Sequence, residues 1–145
     1  MKLTMKGDYG LRAMLDMAVY YGQGPIESAD IAGRQHIPEK YLDQILMVLR
    51  KEGLVKSLRG PKGGHMLAKP PGQITMAHVM QALEGYVPPM ECLSNPNSCK
   101  LSAGCALRGV WRQIDAMTQQ ILASTTIEEL AQRHHTESAE TMYYI

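Results

Sequence analysis

Residues 38–69 read PEKYLDQILMVLRKEGLVKSLRGPKGGHMLAK and combine, in this order, a helical pattern, a glycine and a hairpin pattern. Pro38 suits the first position of a helix, where its missing N–H costs nothing. Apolar residues then recur at helical spacing until Gly53, which is placed to end the helix. Apolar segments on both sides of the turn 59–64 predict two strands, over 54–58 and 65–68. The apolar stripe of the helix consists of Leu42, Ile45, Leu46 and Leu49.

A shorter helix precedes this segment. Ser28 is suited to cap a helix over 29–35, and His36 and Ile37 form a tight connection to the next helix. Two helices joined in this way, the second with a polar and cationic outer face, are typical of a helix-turn-helix. An ordinary helical hairpin has the same pattern, but the two strands that follow favour a winged helix. The outer face of the second helix comprises Lys40, Asp43, Gln44, Met47, Arg50 and Lys51.

The turn 59–64 forms the tip of the predicted wing. Its glycines allow a close approach to a phosphate backbone, and Arg59 and Lys62 supply positive charge. An arginine at a wing tip suits a narrow, A·T-rich minor groove. The alternative is a hairpin whose charged side chains are solvated and contact no DNA.

Apolar positions at helical spacing predict further helices over 8–21 and 76–83, the second capped by Thr75. A helix of about 18 residues follows Cys105, with one continuous apolar side that indicates a dimer interface. Thr125 and Glu128 predict a capping box for a last helix through about His134. The apolar side of the long helix comprises Leu107, Val110, Trp111, Ile114, Met117 and Ile121.

The expected fold class is therefore mainly α, a winged helix-turn-helix with a two-stranded wing and a long dimerisation helix. The chain divides into a DNA-binding domain over 1–70, a linker helix over 71–90 and a cysteine loop over 91–106. The dimerisation helix and C-terminal helix occupy 107–135, and a tail occupies 136–145.

Charge is unevenly distributed along the 145 residues, although the net charge is only +1. Residues 1–69 carry 11 Lys and Arg against 7 Asp and Glu, whereas residues 70–145 carry 4 against 7. A basic surface confined to one segment indicates a local contact with phosphates. No segment approaches the apolar length of a membrane span, and the first residues lack the apolar core of a signal peptide. We expect a cytoplasmic protein without a membrane partner.

All three cysteines lie in the loop CLSNPNSCKLSAGC, with the spacing C-x6-C-x5-C. Three neighbouring thiols cannot all pair within one chain, and a protein of this size needs no disulfide framework. Structural zinc sites usually use closer cysteine pairs, whereas iron–sulfur clusters accept wider spacings. A cluster is favoured, with redox-reactive thiols, a disulfide switch or zinc as the alternatives.

Three stretches together resemble the IscR/NsrR family of bacterial winged-helix regulators. They are MKLTMKGDYGLRAMLDMA at the start, the segment from ADIAGRQHIPEK to GGHMLAKP, and the three-cysteine loop before a long helix. The resemblance covers residues 1 to about 133. It implies a homodimer, one iron–sulfur cluster in each subunit, either 2Fe-2S or 4Fe-4S, and binding to a pseudo-palindromic DNA operator that depends on the cluster.

The same resemblance implies that Cys92, Cys99 and Cys105 are cluster ligands, although the first gap is one residue longer than the family pattern. Arg108 stands where the IscR branch has a histidine ligand, and a cationic side chain cannot replace it. Asp8 matches the aspartate that the NsrR branch donates from the partner subunit, which makes it the leading fourth ligand. The alternatives are an ordinary Asp8–Arg12 surface pair, with Glu91 or solvent at the cluster.

The family's DNA contacts also transfer to this sequence. Ser28 and Tyr41 resemble phosphate contacts, and Gln44 and Asp43 carry groups that can bind adenine and cytosine edges. The expected DNA-binding residues are Ser28, Lys40, Tyr41, Asp43, Gln44, Arg50, Lys51, Arg59 and Lys62.

The sequence therefore predicts a transcriptional regulator, typically a repressor, that senses iron–sulfur status, redox stress or nitric oxide through a cluster, and not an enzyme. Two alternatives remain. One is a cluster-free regulator of the same fold that acts by thiol–disulfide exchange or by binding a partner protein. The other is a redox enzyme or electron carrier, for which the wing and the recognition helix would serve no purpose.

Overall fold

The computed structural model describes residues 3–143, with side chains described through residue 140. The order of its main elements is that of a winged helix followed by three more helices. They are α1 (Met5–Val19), α2 (Ser28–Gln35), α3 (Glu39–Lys51), β1 (Val55–Leu58), β2 (Gly64–Leu67), α4 (Met76–Glu84), α5 (Ala106–Ser124) and α6 (Ile127–Tyr143). This mainly helical architecture with a two-stranded antiparallel sheet confirms the predicted fold class.

The predicted stripe of α3 is the centre of the core. All four of its apolar residues are buried, and Gly53 follows the helix with a φ of 77°, a conformation that glycine adopts without strain. The core also takes Ile74 and Val79 from the α4 region and Ile127 from α6. The C-terminal helix α6 thus begins in the same hydrophobic core as α3.

The wing is anchored to the body of the fold by backbone hydrogen bonds. Ile26 and His65 exchange two, with N···O distances of 2.9 and 2.7 Å, so residue 26 pairs with the outer edge of β2. A Cβ atom on Gly64 would lie 2.5 Å from the Ile26 oxygen, and one on Gly63 would lie 2.1 Å from the Leu58 oxygen. Glycine is therefore required at both positions for the wing to close.

Three cap predictions need correction. Ser28 is the first residue of α2 and not its cap, because Glu27 holds the cap position and makes no side-chain hydrogen bond there. The predicted box of Thr125 and Glu128 is also wrong. The Thr126 hydroxyl accepts the Glu129 N–H at 3.1 Å, and Thr125 Oγ1 instead donates to the Ile121 carbonyl at 2.8 Å. Pro38 is the cap of α3 and not its first residue.

Helix bounds differ in two further places. α6 continues to Tyr143, well past the predicted end near His134, so the helix includes most of the predicted tail. α1 starts at Met5, where the Thr4 hydroxyl caps it by accepting the Gly7 N–H at 3.2 Å. The Thr75 cap of α4 is confirmed and is completed by His78, whose Nδ1 accepts the Thr75 N–H at 3.1 Å.

Most of the apolar side of helix α5 is not covered by the residues that the structure describes. Leu107 is 62% exposed, Met117 58% and Ile121 60%, while Trp111 is half-buried beside the cysteine loop. Leu122 is the buried residue of this helix. Within the described residues, no helix is both long enough and apolar enough to cross a membrane.

Candidate DNA-binding face and cysteine pocket

The outer face of α3 is open to solvent, as a recognition helix requires. Asp43 and Gln44 are exposed on its early turns, and Tyr41 is half-buried with its ring edge against Tyr9 at a centroid distance of 5.6 Å. Tyr41 is thus held in place by packing, whereas its neighbours are free to contact a ligand. The other predicted contacts on this helix, Lys40, Arg50 and Lys51, are also exposed.

A groove of about 450 Å³ separates the wing from the helix-turn-helix. Ser28 lies on one wall and Arg59 on the other, so two of the predicted DNA contacts meet there. Lys62 is exposed at the wing tip, outside the groove. The remaining groove residues are Glu27, Ala29, Glu39, Ser57, Leu58, Gly60, Gly63, Gly64 and His65.

Two groove residues were missed by the sequence analysis. Ser57 and His65 are direct partners in the wing register, and Ser57 Oγ lies 2.7 Å from His65 Nδ1. Burial lowers the pKa of His65, the Arg50 charge lowers it further, and Asp43 opposes both effects. The hairpin pattern contained the signal, because a short wing turn places residue 57 opposite residue 65.

The position of α2 depends on one buried carboxylate. Asp16 is 2% exposed on α1 and accepts two hydrogen bonds from Arg34, at 2.9 and 2.8 Å. Gln35 Nε2 donates a third at 3.2 Å, and the Arg34 guanidinium lies 4.4 Å from the Tyr20 ring centroid. This network fixes the end of α2 against α1, and the sequence analysis did not predict it.

The three cysteines line one open pocket of about 380 Å³ at the start of α5. All three are free thiols; Cys99 is exposed, and Cys92 and Cys105 are half-buried. Leu107 and Trp111 form an apolar wall, and Cys105 is the cap residue of α5. The N-terminus of a helix favours negative charge, so this end of α5 suits an anionic group.

Arg108 also lines this pocket. Its Nη2 donates to the Cys92 carbonyl at 3.2 Å, which ties α5 to the start of the loop. Its Nε is buried and, among the described residues, has no hydrogen-bond partner; the same holds for the hydroxyl of Ser102. A buried donor without an acceptor is costly, so a group that accepts from Arg108 would be stabilised here.

The cysteines share a pocket but are not in ligating positions. Within residues 3–143, no three His, Cys, Asp or Glu side chains stand close enough to hold a metal ion. Asp8 lies exposed on α1, where its carboxylate pairs with Arg12 at 2.9 Å. The sequence predicted Asp8 as a ligand donated from the partner subunit, and Asp8 does not line the cysteine pocket of its own chain.

A family model described as Rrf2, iron-dependent transcriptional regulator, matches residues 3–133. The chain belongs to the Rrf2 family of transcriptional regulators. Curated relatives include the regulator CymR of Bacillus subtilis, 37% identical over 145 residues with full coverage of both chains. IscR of Xenorhabdus nematophila is 39% identical over 130 residues, which cover 90% of this chain and 79% of that protein.

Solved structures of Rrf2-type regulators have the same fold as this chain. The structure of CymR, described as the global cysteine regulator of Bacillus subtilis, has a TM-score of 0.80 at 37% identity and covers 92% of this chain and 98% of that one. The structure of IscR of T. potens has a TM-score of 0.76 at 34% identity and covers 92% of this chain and 88% of that one. The structure of the oxidized form of Staphylococcus aureus CymR has a TM-score of 0.72 at 33% identity and covers 90% of this chain and 96% of that one.

Rrf2 membership establishes the coarse function. The relatives are named as helix-turn-helix transcriptional regulators, which is a non-enzymatic role, and the protein is a DNA-binding regulator of transcription with a winged helix. The resemblance stated from the sequence is confirmed, and the alternative of a redox enzyme is excluded. The two curated relatives described above carry the names CymR and IscR.

Proposed function

We propose that this Rrf2 protein is a homodimeric regulator that binds an iron–sulfur cluster through Cys92, Cys99 and Cys105 and changes its operator affinity with the state of the cluster. The observation that carries the proposal is the pocket at the start of α5, which all three thiols line. The description of the family as iron-dependent also supports it.

The residues of the pocket fit such a group. Thiolates are the usual ligands of these clusters, and a cluster held by three of them is anionic. The unpartnered Arg108 Nε supplies a hydrogen-bond donor for that charge, and Leu107 and Trp111 give the site one apolar wall. Because the thiols stand apart, binding requires the loop between Cys92 and Cys105 to tighten.

The cluster would supply a centre whose ligands and charge respond to oxidants, nitric oxide or iron shortage. The chain's own residues would link the ordering of the cysteine loop to the position of α5. Arg108 joins the loop to α5 through the Cys92 carbonyl, and the Tyr86 hydroxyl donates to the Asp115 carboxylate at 2.6 Å, which ties the segment before the loop to the middle of α5. Loop ordering therefore acts directly on the dimerisation helix.

We propose that Asp8 of the partner subunit is the fourth ligand. Asp8 is exposed and its pair with Arg12 is a solvent-exposed ion pair, which contributes little and is readily exchanged. A carboxylate binds iron less tightly than thiolate does, so this ligand would be the first to dissociate. A ligand from the second subunit would also set the spacing of the two recognition helices, which must match about one turn of DNA, roughly 34 Å.

The first experiment is purification and reconstitution without oxygen, followed by iron and sulfide analysis and an absorption spectrum. We expect iron and sulfide with sulfur-to-iron charge-transfer bands, lost in Cys99→Ala but kept in the neighbouring Ser98→Ala. Selected operator DNA should be bound with at least about tenfold different affinity by the loaded and unloaded protein, equivalent to about 1.4 kcal/mol. Full absorbance in Cys99→Ala would refute the ligand assignment.

A second candidate is a cluster-free thiol switch. It is favoured by the exposure of Cys99 and by the existence of an oxidized form of a related CymR. In this reaction two thiols lose two protons and two electrons to hydrogen peroxide, which is reduced to two molecules of water while one disulfide forms. Protein without iron or sulfide that forms a disulfide with peroxide, and changes its DNA affinity as it does so, would establish this candidate in place of the cluster.

A further inference from the structure

We infer that His65 and Ser57 form a proton-dependent contact with a DNA phosphate in the groove between the wing and the helix-turn-helix. The inference rests on DNA binding by the winged helix and is independent of the cluster. It adds two residues to the DNA-binding face that the sequence did not indicate, and it gives DNA affinity a dependence on pH.

The first support is the fixed position of the histidine. On one side, the His65 backbone exchanges two hydrogen bonds with Ile26. On the other side, His65 stands opposite Ser57, and their side chains meet at 2.7 Å. Side chains of such a directly opposed pair lie on the same face of a sheet. The imidazole is thus held by the wing strands rather than by a flexible loop.

The second support is the setting of the pair. Both residues line the groove with Ser28 and Arg59, the predicted contacts from α2 and the wing. His65 is half-buried, and its surroundings keep it in the neutral form at neutral pH. The charged groups that face it or share the groove are Asp43, Arg50 and Glu39 of α3, Glu27 before α2, and Arg59 of the wing.

Glu27 and Glu39 give the groove an acidic side, which would oppose a phosphate when His65 is neutral. Protonation adds a positive charge opposite those carboxylates and beside Arg59. The groove then offers an anion two cationic side chains and the Ser28 hydroxyl. Protonation of His65 therefore offsets the repulsion that Glu27 and Glu39 exert on a phosphate in this groove.

Protonation also changes the role of Ser57. In a neutral ring with the proton on Nε2, Nδ1 is an acceptor. The Ser57 hydroxyl then donates its hydrogen to Nδ1 and cannot donate it to a phosphate. The imidazolium donates from both nitrogens, so Nδ1–H donates to Ser57 Oγ and the serine hydrogen becomes available. One proton thus frees Ser57 Oγ–H as a second donor for a phosphate oxygen, beside His65 Nε2–H, which is already a donor in the neutral ring and gains positive charge.

The sign of the effect follows from linkage. Free protein holds His65 neutral because burial lowers its pKa, and a bound phosphate favours the protonated form and raises that pKa. Binding therefore takes up a proton, and DNA affinity rises as the pH falls. The rise is limited to about tenfold per pH unit for each proton taken up.

The experiment measures fluorescence anisotropy with two labelled duplexes, one selected from a randomised library and one shuffled version of the same length. Titrations run from about pH 8 to about pH 5.5 at constant ionic strength, across the ordinary histidine pKa of about 6.5. We expect stronger binding of both duplexes at low pH, because a phosphate contact does not depend on sequence. The slope of log affinity against log salt should steepen by about 0.9 per protomer at low pH.

Three variants make the result specific. His65→Gln should remove the pH dependence, Ser57→Ala should weaken binding more at low pH than at high pH, and His134→Gln on the exposed part of α6 should match the unmodified protein. Proton NMR of His65 provides a second measurement that needs no variant, since its pKa should rise on adding DNA. Identical pH profiles for His65→Gln and the unmodified protein, or an unchanged His65 pKa with DNA, would overturn the inference, whatever the cluster assays show.

Discussion

Arg34 of α2 binds the buried Asp16 carboxylate of α1 with both sides of its guanidinium, Nε at 2.9 Å and Nη2 at 2.8 Å. Only one partner of this bidentate pair is buried. The Asp16 side chain is 2% exposed, whereas the Arg34 side chain is 37% exposed. The first helix of the helix-turn-helix is therefore attached to the core by a charge pair in addition to apolar packing.

We predict unequal costs for breaking this pair. Arg34→Gln leaves a buried carboxylate without its cation and should lower the free energy of unfolding by about 3 to 5 kcal/mol. Asp16→Asn leaves a partly solvated arginine and should cost about 1 to 3 kcal/mol. Urea denaturation at neutral pH measures both. Arg133→Gln, which breaks the exposed pair with Glu129, is the control and should cost less than about 1 kcal/mol. Equal losses for all three would contradict a buried role for Asp16.

Gly10 and Gly33 form a second test, since both are helical glycines with different surroundings. A Cβ on Gly10 would lie 2.0 Å from Leu83 Cδ1 of α4, whereas one on Gly33 would meet nothing within 4 Å. Gly10→Ala should therefore destabilise the protein by about 1 to 3 kcal/mol through overpacking. Gly33→Ala should stabilise it by about 0.5 to 1 kcal/mol through helix propensity. Thermal melting compares the two, and a stabilising Gly10→Ala would show that α1 and α4 pack less closely.

The uncovered side of α5 predicts the oligomeric state. Ile114→Glu places a charge in the middle of the apolar stripe and should convert dimer to monomer, measured by sedimentation velocity. Gln113→Glu adds the same charge to the neighbouring exposed position, outside the stripe, and should leave the dimer intact. A dimer that survives Ile114→Glu would place the subunit interface elsewhere.

Arg108 predicts the lifetime of the proposed cluster. Arg108→Met removes both the hydrogen bond to the Cys92 carbonyl and the buried Nε donor, so the reconstituted absorbance should decay several-fold faster in air. The control is Arg112→Met, one turn further along α5 and exposed. Equal decay in the two variants would confine Arg108 to a surface role.

His65 predicts an acid-dependent loss of stability in the absence of DNA. Its pKa in the folded protein is below the ordinary value, chiefly because of burial, so folding is favoured most when the ring is neutral. The free energy of unfolding should fall as the pH drops below about 6.5 toward the lowered pKa, and His65→Gln should reduce this slope. Denaturation curves at several pH values measure the slope, and an equal slope in His65→Gln would mean that other groups cause it.

The sequence predicted those parts of the fold that depend on local pattern. The α3 stripe and the glycine-closed wing follow from residues close together in the chain, and both are present. The last cap was displaced by one position because the segment Thr125–Thr126 is followed by paired glutamates at 128 and 129, which allow two registers. Burial of Ile127 against the core selects the second register, and no local pattern contains that information.

The sequence predicted the parts of the candidate site that follow from local patterns, but not the contacts between residues far apart in the chain. The exposed residues of α3 and the wing follow from helical and hairpin geometry. The contact of Arg34 with Asp16 joins residues 18 positions apart, and it depends on how α1 and α2 cross. The shared pocket of Cys92, Cys99 and Cys105 agrees with their clustering in sequence. Their separation in that pocket reflects the loop's short 3-10 turns, which spacing alone does not reveal.

Helix α5 is attached to the core at its C-terminal end, so a displacement of its N-terminal end rotates the helix about that attachment. Directly after this helix, the Met76 N–H donates to the Thr125 carbonyl at 2.9 Å and the Ile127 N–H donates to the Ile74 carbonyl at 2.8 Å, which together form a pivot in the core. The cysteine pocket lies at the opposite end, about 28 Å away along 19 residues. A shift of about 1 Å at Cys105 therefore tilts α5 by only about 2°, and the proposed cluster would change the arrangement of the two subunits through an angle of this size.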